Sequence, residues 1–197
     1  MTNKSSSHLF SLPNILTYGR ILAVPFIVLC FFIEGKLNGS DFARWSALAI
    51  FAIASITDFF DGYLARIWHQ TSALGRMLDP IADKLLVSAC LLLLAADGTI
   101  AGWTIWAAII ILSREILVSG LREYLAELNV SVPVTRIAKW KTTIQMVSIG
   151  FLLAGPAGDK VLAHTTEIGL AMLWVAAIIT LYTGYDYFRA GLHHIID

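Results

Sequence analysis

Apolar residues in this chain come in long runs, and the polar residues that interrupt them gather toward one end of most runs. A bilayer core about 30 Å thick takes roughly 20 helical residues to cross. By that measure six segments are predicted as spanning helices: about Leu12 to Ile33, Ala43 to Trp68, Leu78 to Ala96, Ile100 to Leu125, Ile137 to Leu153 and Ile168 to Phe188. The connections are short, with no repeat or low-complexity tract between them. The expected fold is therefore all-α, a polytopic membrane protein of six transmembrane helices around a cytoplasm-facing polar cavity. Residues 1–11 are expected as a cytoplasmic tail and 12–197 as one transmembrane domain.

Composition agrees with this pattern. Hydrophobic residues make up 57% of the chain and mean hydropathy is +0.73, far from a soluble domain. Net charge is zero, so only its distribution carries information. With six spans, one side of the membrane holds only Lys36, Arg44 and Lys160, leaving eleven of the fourteen Lys and Arg on the other. The positive-inside rule makes the richer side, with both termini, cytoplasmic. The first apolar segment contains Arg20 and lacks a small-residue cleavage site before Glu34, so it is expected to stay as a span. Cys30 and Cys90 sit in apolar runs and imply no disulfide framework. Nothing points to a nucleic-acid partner.

The chemistry is concentrated between Asp58 and Asp83. Aspartates at 58, 61, 79 and 83 lie between strongly apolar runs, and each costs about 2.5–3.5 kcal/mol near the middle of a bilayer. Asp58 and Asp61 are three apart and Asp79 and Asp83 four apart, so each pair shares a helical face. Pro80 suits the first turn of a helix capped by Asp79. Gly62, Ala65 and Gly75 expose little side chain, which leaves room for a flat ligand against the backbone. Four carboxylates held close need cations, and oxygen-only ligands suit Mg²⁺ or Mn²⁺. Two such ions would neutralise the set and clamp a phosphate ester during substitution at phosphorus. A network of buried ion pairs, or a carrier for divalent cations, is the competing reading of the same acids.

The spacing Asp58-x2-Asp61-Gly62-x2-Ala65-Arg66-x8-Gly75-x3-Asp79-x3-Asp83 resembles the signature of the CDP-alcohol phosphotransferase family, with every fixed position filled. The stretches Leu12 to Arg20, Ser113 to Tyr124 and Lys139 to Met146 are similar to the bacterial branch that makes phosphatidylglycerophosphate. The resemblance implies transfer of a phosphatidyl group from CDP-diacylglycerol to glycerol 3-phosphate, with CMP released, in a bacterial inner-membrane homodimer. Relatives with another acceptor, making cardiolipin or inositol phospholipids, are the nearest alternative. It further implies that Asp58, Asp61, Asp79 and Asp83 hold metal and that Asp83 is the base. Gly62, Ala65, Arg66 and Gly75 would then accommodate the nucleotide, together with Asp58 and Asp61. Spacing alone does not separate Asp83 from Asp79 as the base.

Two further groups stand out. Asn14, Thr17 and Arg20 recur every three residues and share a face, which fits either a helix start with a snorkelling arginine or the lining of the polar cavity. Arg114 and Arg122 share a face two turns apart, and with Arg136, Lys139 and Lys141 they form a basic cluster on the aspartate side. That cluster fits an anionic-lipid surface patch. It also fits a pocket for the acceptor's phosphate, with Arg114, Arg122, Lys139 and Lys141 as ligands and Glu115 and Glu123 orienting the arginines. Arg76 and Lys84 are weaker candidates for substrate contact than Arg66, and read rather as surface or lipid-headgroup contacts.

Overall fold

The computed structural model describes residues 12–36, 41–68, 73–128, 130 and 136–196. The expected tail, residues 1–11, lies outside them. Six long helices follow one another: α1 (Leu12–Lys36), α2 (Asp41–Trp68), α3 (Ala73–Ala96), α4 (Ile105–Glu127), α5 (Arg136–Asp159) and α6 (Thr165–Ile196). A 3₁₀ turn at Gly102–Thr104 leads into α4. There is no strand among the described residues. The runs of Leu, Ala and Ile favour helix, and in a bilayer the helix also satisfies every internal backbone polar group.

Helix α1 packs on α2 and α3, α2 also meets α5, and α6 lies against both α5 and α4. Their shared core includes Ile27, Phe51, Leu86, Leu94, Ile111, Leu152 and Leu173. The outer faces are apolar as well, with Phe26, Phe32, Ile53, Leu92, Ile116 and Ile178 all mostly exposed. A surface of that kind suits lipid and would be a liability in water. Three stretches, Asn14–Ile33, Gly102–Glu127 and Thr165–Arg189, are long and apolar enough to cross a membrane. Helices α2, α3 and α5 have 28, 24 and 24 residues, also sufficient in length, but carry charged side chains. The molecule is an all-α membrane protein.

One sequence expectation needs correction. Helix α3 begins at Ala73, so Pro80 sits inside it and Asp79 is not its cap. Ala73, Leu74 and Leu78 are good helix formers, and they carry the helix through a proline that removes one backbone hydrogen bond. Farther along, Gly155 breaks α5 with φ +44°, after which Pro156 to Asp159 return to helix. Asp159 then receives the Thr166 backbone N–H at 3.0 Å and its hydroxyl at 2.6 Å, holding the start of α6. These bonds hold the exposed Asp159 carboxyl below its ordinary range.

The end of the bundle away from the aspartates is tied by Arg44. Its Nη2 reaches both Asp97 oxygens, at 3.0 and 2.6 Å, its Nη1 reaches the Thr99 hydroxyl at 3.3 Å, and its guanidinium lies 5.2 Å from the Phe31 ring centroid. A Cβ on Gly155 would lie 2.6 Å from Arg44 Nη1, so the glycine both turns the backbone and makes room for the arginine. Lys160 likewise pairs with Asp41 at 2.7 Å. Two of the three basic residues assigned to the sparse side are thus neutralised locally.

Candidate active site

At the opposite end, the start of α1 meets the end of α2 and the start of α3. Arg20, 1% exposed, spans the gap between them. Its Nη2 lies 2.6 Å from Asp58 Oδ1 on α2, and its Nη1 lies 2.6 Å from Asp83 Oδ1 on α3. One turn earlier the Thr17 hydroxyl donates to Asp79 Oδ1 at 2.5 Å, and one turn before that Asn14 is also buried. The three-residue repeat on α1 is therefore a polar face turned inward, and the snorkelling reading of Arg20 does not hold. A guanidinium buried this deeply is stable only with its charge paired, and its planar fork can serve two carboxylates at once.

The acids are drawn together by the same contact. Asp58 lies within hydrogen-bonding reach of Asp83 and within Coulombic range of Asp79. The Asp58 side chain is 33% exposed and that of Asp83 42%, so the group opens on one side. Formally, three carboxylates against one guanidinium leave two negative charges on oxygen donors, a donor set that suits a hard divalent cation. Among the described residues no three His, Cys, Asp or Glu side chains are arranged as a finished metal cluster. The Asp61 side chain lies outside the described residues, as do those of Ala65 and Arg66, although all three, with Gly62, fall within the helical backbone of α2. Gly75 is buried in the first turn of α3.

A second polar group occupies the same end, between α4, α5 and α6. Lys141 on α5, almost wholly buried, donates to Glu115 on α4. Arg114 Nη1 is 3.7 Å from Glu115, and its Nη2 donates to the Thr183 hydroxyl of α6 at 3.2 Å. Arg122 lies over the Tyr187 ring, 5.7 Å from its centroid. Arg114, Arg122 and Lys141 against Glu115 leave two formal positive charges, complementary to a phosphate dianion. Three buried polar atoms here lack a partner among the described residues: Arg114 Nε, Gln145 Oε1 and Thr180 Oγ1. Orphaned buried groups of this kind point to water or a bound polar ligand. The Lys139 and Arg136 side chains lie outside the described residues.

Several of these residues carry no signal that spacing analysis would pick out. Gln145 follows Lys141 by one turn, which places it on the same face but says nothing about its depth. A Cβ on Gly184 would lie 3.0 Å from Arg114 Cγ, so the arginine would have to shift by a few tenths of an ångström to admit it. Thr180 and Thr183 look like ordinary span residues until Arg114 is placed beside them. Glu115, expected to orient the arginines, serves Lys141 as well as Arg114. Lys84, read as a headgroup contact, instead reaches Ser119 on α4.

The model of the CDP-alcohol phosphatidyltransferase family matches residues 10–182. Three relatives bear the name CDP-diacylglycerol–glycerol-3-phosphate 3-phosphatidyltransferase. The one from Rickettsia bellii is 45% identical over 180 residues, covering 91% of this chain and 94% of that protein. The one from Cereibacter sphaeroides is 39% identical over 221 residues, covering 95% and 98%. The one from Shigella flexneri is 39% identical over 190 residues, again covering 95% and 98%. With the family model matching residues 10–182 and relatives matching nearly the full length, the chain belongs to the CDP-alcohol phosphatidyltransferase family.

Proposed function

We propose that this protein transfers the phosphatidyl group of CDP-diacylglycerol to sn-glycerol 3-phosphate, giving phosphatidylglycerophosphate and CMP. The observation that carries the reading is the pairing, at one end of one bundle, of an acid group on α2 and α3 with a cation group on α4, α5 and α6. The names of relatives that match over nearly the whole chain support the choice of substrates.

In this reading Asp58, Asp61, Asp79 and Asp83 hold Mg²⁺ or Mn²⁺, with two ions expected from the charge of the set. The metal supplies positive charge to the phosphate oxygens and to the departing CMP. Gly62, Ala65 and Gly75 leave space for the cytidine, and Arg66 holds the nucleotide's phosphate oxygens. Arg114, Arg122, Lys139 and Lys141 hold the acceptor's phosphate, directing its free primary hydroxyl toward the donor. Asp83 takes the proton of that hydroxyl as oxygen bonds to phosphorus, and the bond from phosphorus to the CMP oxygen breaks. Support for Asp83 as the base comes from its partial exposure and its fixed orientation on Arg20. Arg20 and Asn14 line the cavity and position the acids.

The protein works as a six-span membrane enzyme with residues 12–197 as its domain. Its site and both termini face the cytoplasm of a bacterial inner membrane, and its assembly is a homodimer. The charge distribution along the chain supports that orientation. The direct test is CMP release by purified protein from CDP-diacylglycerol with the acceptor varied. Release that depends on glycerol 3-phosphate is expected; release driven equally well by inositol phosphate, serine or phosphatidylglycerol would overturn the choice of acceptor.

A further inference from the structure

Lys84 follows Asp83 on α3, yet it turns from the carboxylates toward α4, where its ammonium donates to the Ser119 hydroxyl. Ser119 stands one turn after Glu115 and one turn before Arg122, on the face of α4 that carries the cation group. Lys84 is half-buried, and among the described residues no carboxylate lies within ion-pair distance of it. An ammonium held inside a membrane bundle against a neutral hydroxyl is costly unless an anion joins it. It has three donors, and Ser119 engages one.

We propose that Lys84 is a substrate ligand that binds phosphate oxygens at the junction of the acid and cation groups, with Ser119 fixing where its ammonium points. The inference rests on the proposed transferase reading and adds a contact to it. The shared chemistry is a phosphate oxyanion, from the acceptor's phosphomonoester or from the donor's pyrophosphate. The position of Ser119 on α4 favours the acceptor.

The test uses full-length protein in lipid–detergent micelles, measuring CMP release with each substrate varied in turn. Lys84→Met is expected to raise the glycerol 3-phosphate KM about tenfold or more, the loss of one charge-assisted hydrogen bond. The donor KM should stay within about twofold, and Lys84→Arg, which keeps the charge, within about threefold of wild type for both. Inorganic phosphate should compete with glycerol 3-phosphate in the wild type and lose that potency in Lys84→Met. A rise confined to the donor KM would place the lysine on the lipid's pyrophosphate and still support phosphate ligation.

Unchanged KM values for both substrates in Lys84→Met, with phosphate inhibition retained, would overturn the proposal. If Lys84→Met folds poorly, Lys84→Gln and Ser119→Ala serve in its place. A pair that lowers thermal stability without moving either KM makes the contact a structural tie and also overturns it. Wild-type protein that fails to respond to glycerol 3-phosphate would instead overturn the transferase reading itself.

Discussion

Replacing Arg20 with alanine removes a side chain that pairs with both Asp58 and Asp83 among the described residues. Breaking a buried pair by deleting one partner costs about 3–5 kcal/mol, because the remaining charge is left uncompensated. Both acids are a third or more exposed, so water relieves part of that cost and the lower end, about 3 kcal/mol, is the expected loss. For a chain of this size that corresponds to a fall in Tm of about 6–12 °C. Turnover should fall further, by about 100-fold or more, since the acids lose their fixed geometry. Added Mg²⁺ or Mn²⁺ should raise the Tm of the variant more than that of the wild type, because uncompensated carboxylates gain more from a cation. Arg20→Lys should fall between the two, as one ammonium serves two separated carboxylates less well than a planar fork. The assay is thermal unfolding in detergent, followed by tryptophan fluorescence with and without metal, beside CMP release. An Arg20→Ala protein that matched wild type in both would refute the claim that this guanidinium organises the acids.

Other perturbations separate the parts of the site. Asp83→Asn should abolish turnover while CDP-diacylglycerol binding survives, and substantial residual turnover would count against Asp83 as base. Gly184→Ala, which sets a methyl about 3.0 Å from Arg114 Cγ, should raise the glycerol 3-phosphate KM several-fold and leave the donor KM alone; an equal rise in both would argue against a dedicated acceptor pocket. Gly155→Ala should cost about 1–3 kcal/mol through its φ of +44° and its collision with Arg44, seen in unfolding with KM values unchanged. Asp159 has a folded-state pKa below its unfolded one, so its contribution is present above the unfolded value and lost as pH falls through the folded one. The stability gap between wild type and Asp159→Asn should therefore be full near neutral pH and close in the acid range below the usual carboxylate pKa; a gap that widened on acidification would contradict the capping role.

The parts of the site legible in the sequence are those set by local spacing. The i, i+3 and i, i+4 placement of the acids, and the repeat of Asn14, Thr17 and Arg20, follow from helix geometry alone. What joins these faces is long-range: Arg20 finds partners 38 and 63 residues away, and nothing in its neighbourhood along the chain distinguishes it from a boundary arginine. Asp79-Pro80 imitates a helix start because capping aspartate and first-turn proline are common there, yet the formers before it extend α3 by six residues, from Asp79 back to Ala73. Arg44 read as a charge for topology because its partner Asp97 lies on another helix connection. Lys84 read as a lipid contact because its direction depends on where α4 lies, which no local pattern encodes.

The central claim is that acids from α2 and α3 act through divalent cations in bringing lipid-borne and water-borne substrates to reaction. The most direct measurement is CMP and phosphatidylglycerophosphate formation by the purified protein before and after chelation. Loss of product on chelation, with recovery on adding Mg²⁺ or Mn²⁺, is the predicted result. Product formed at an undiminished rate under full chelation would contradict it.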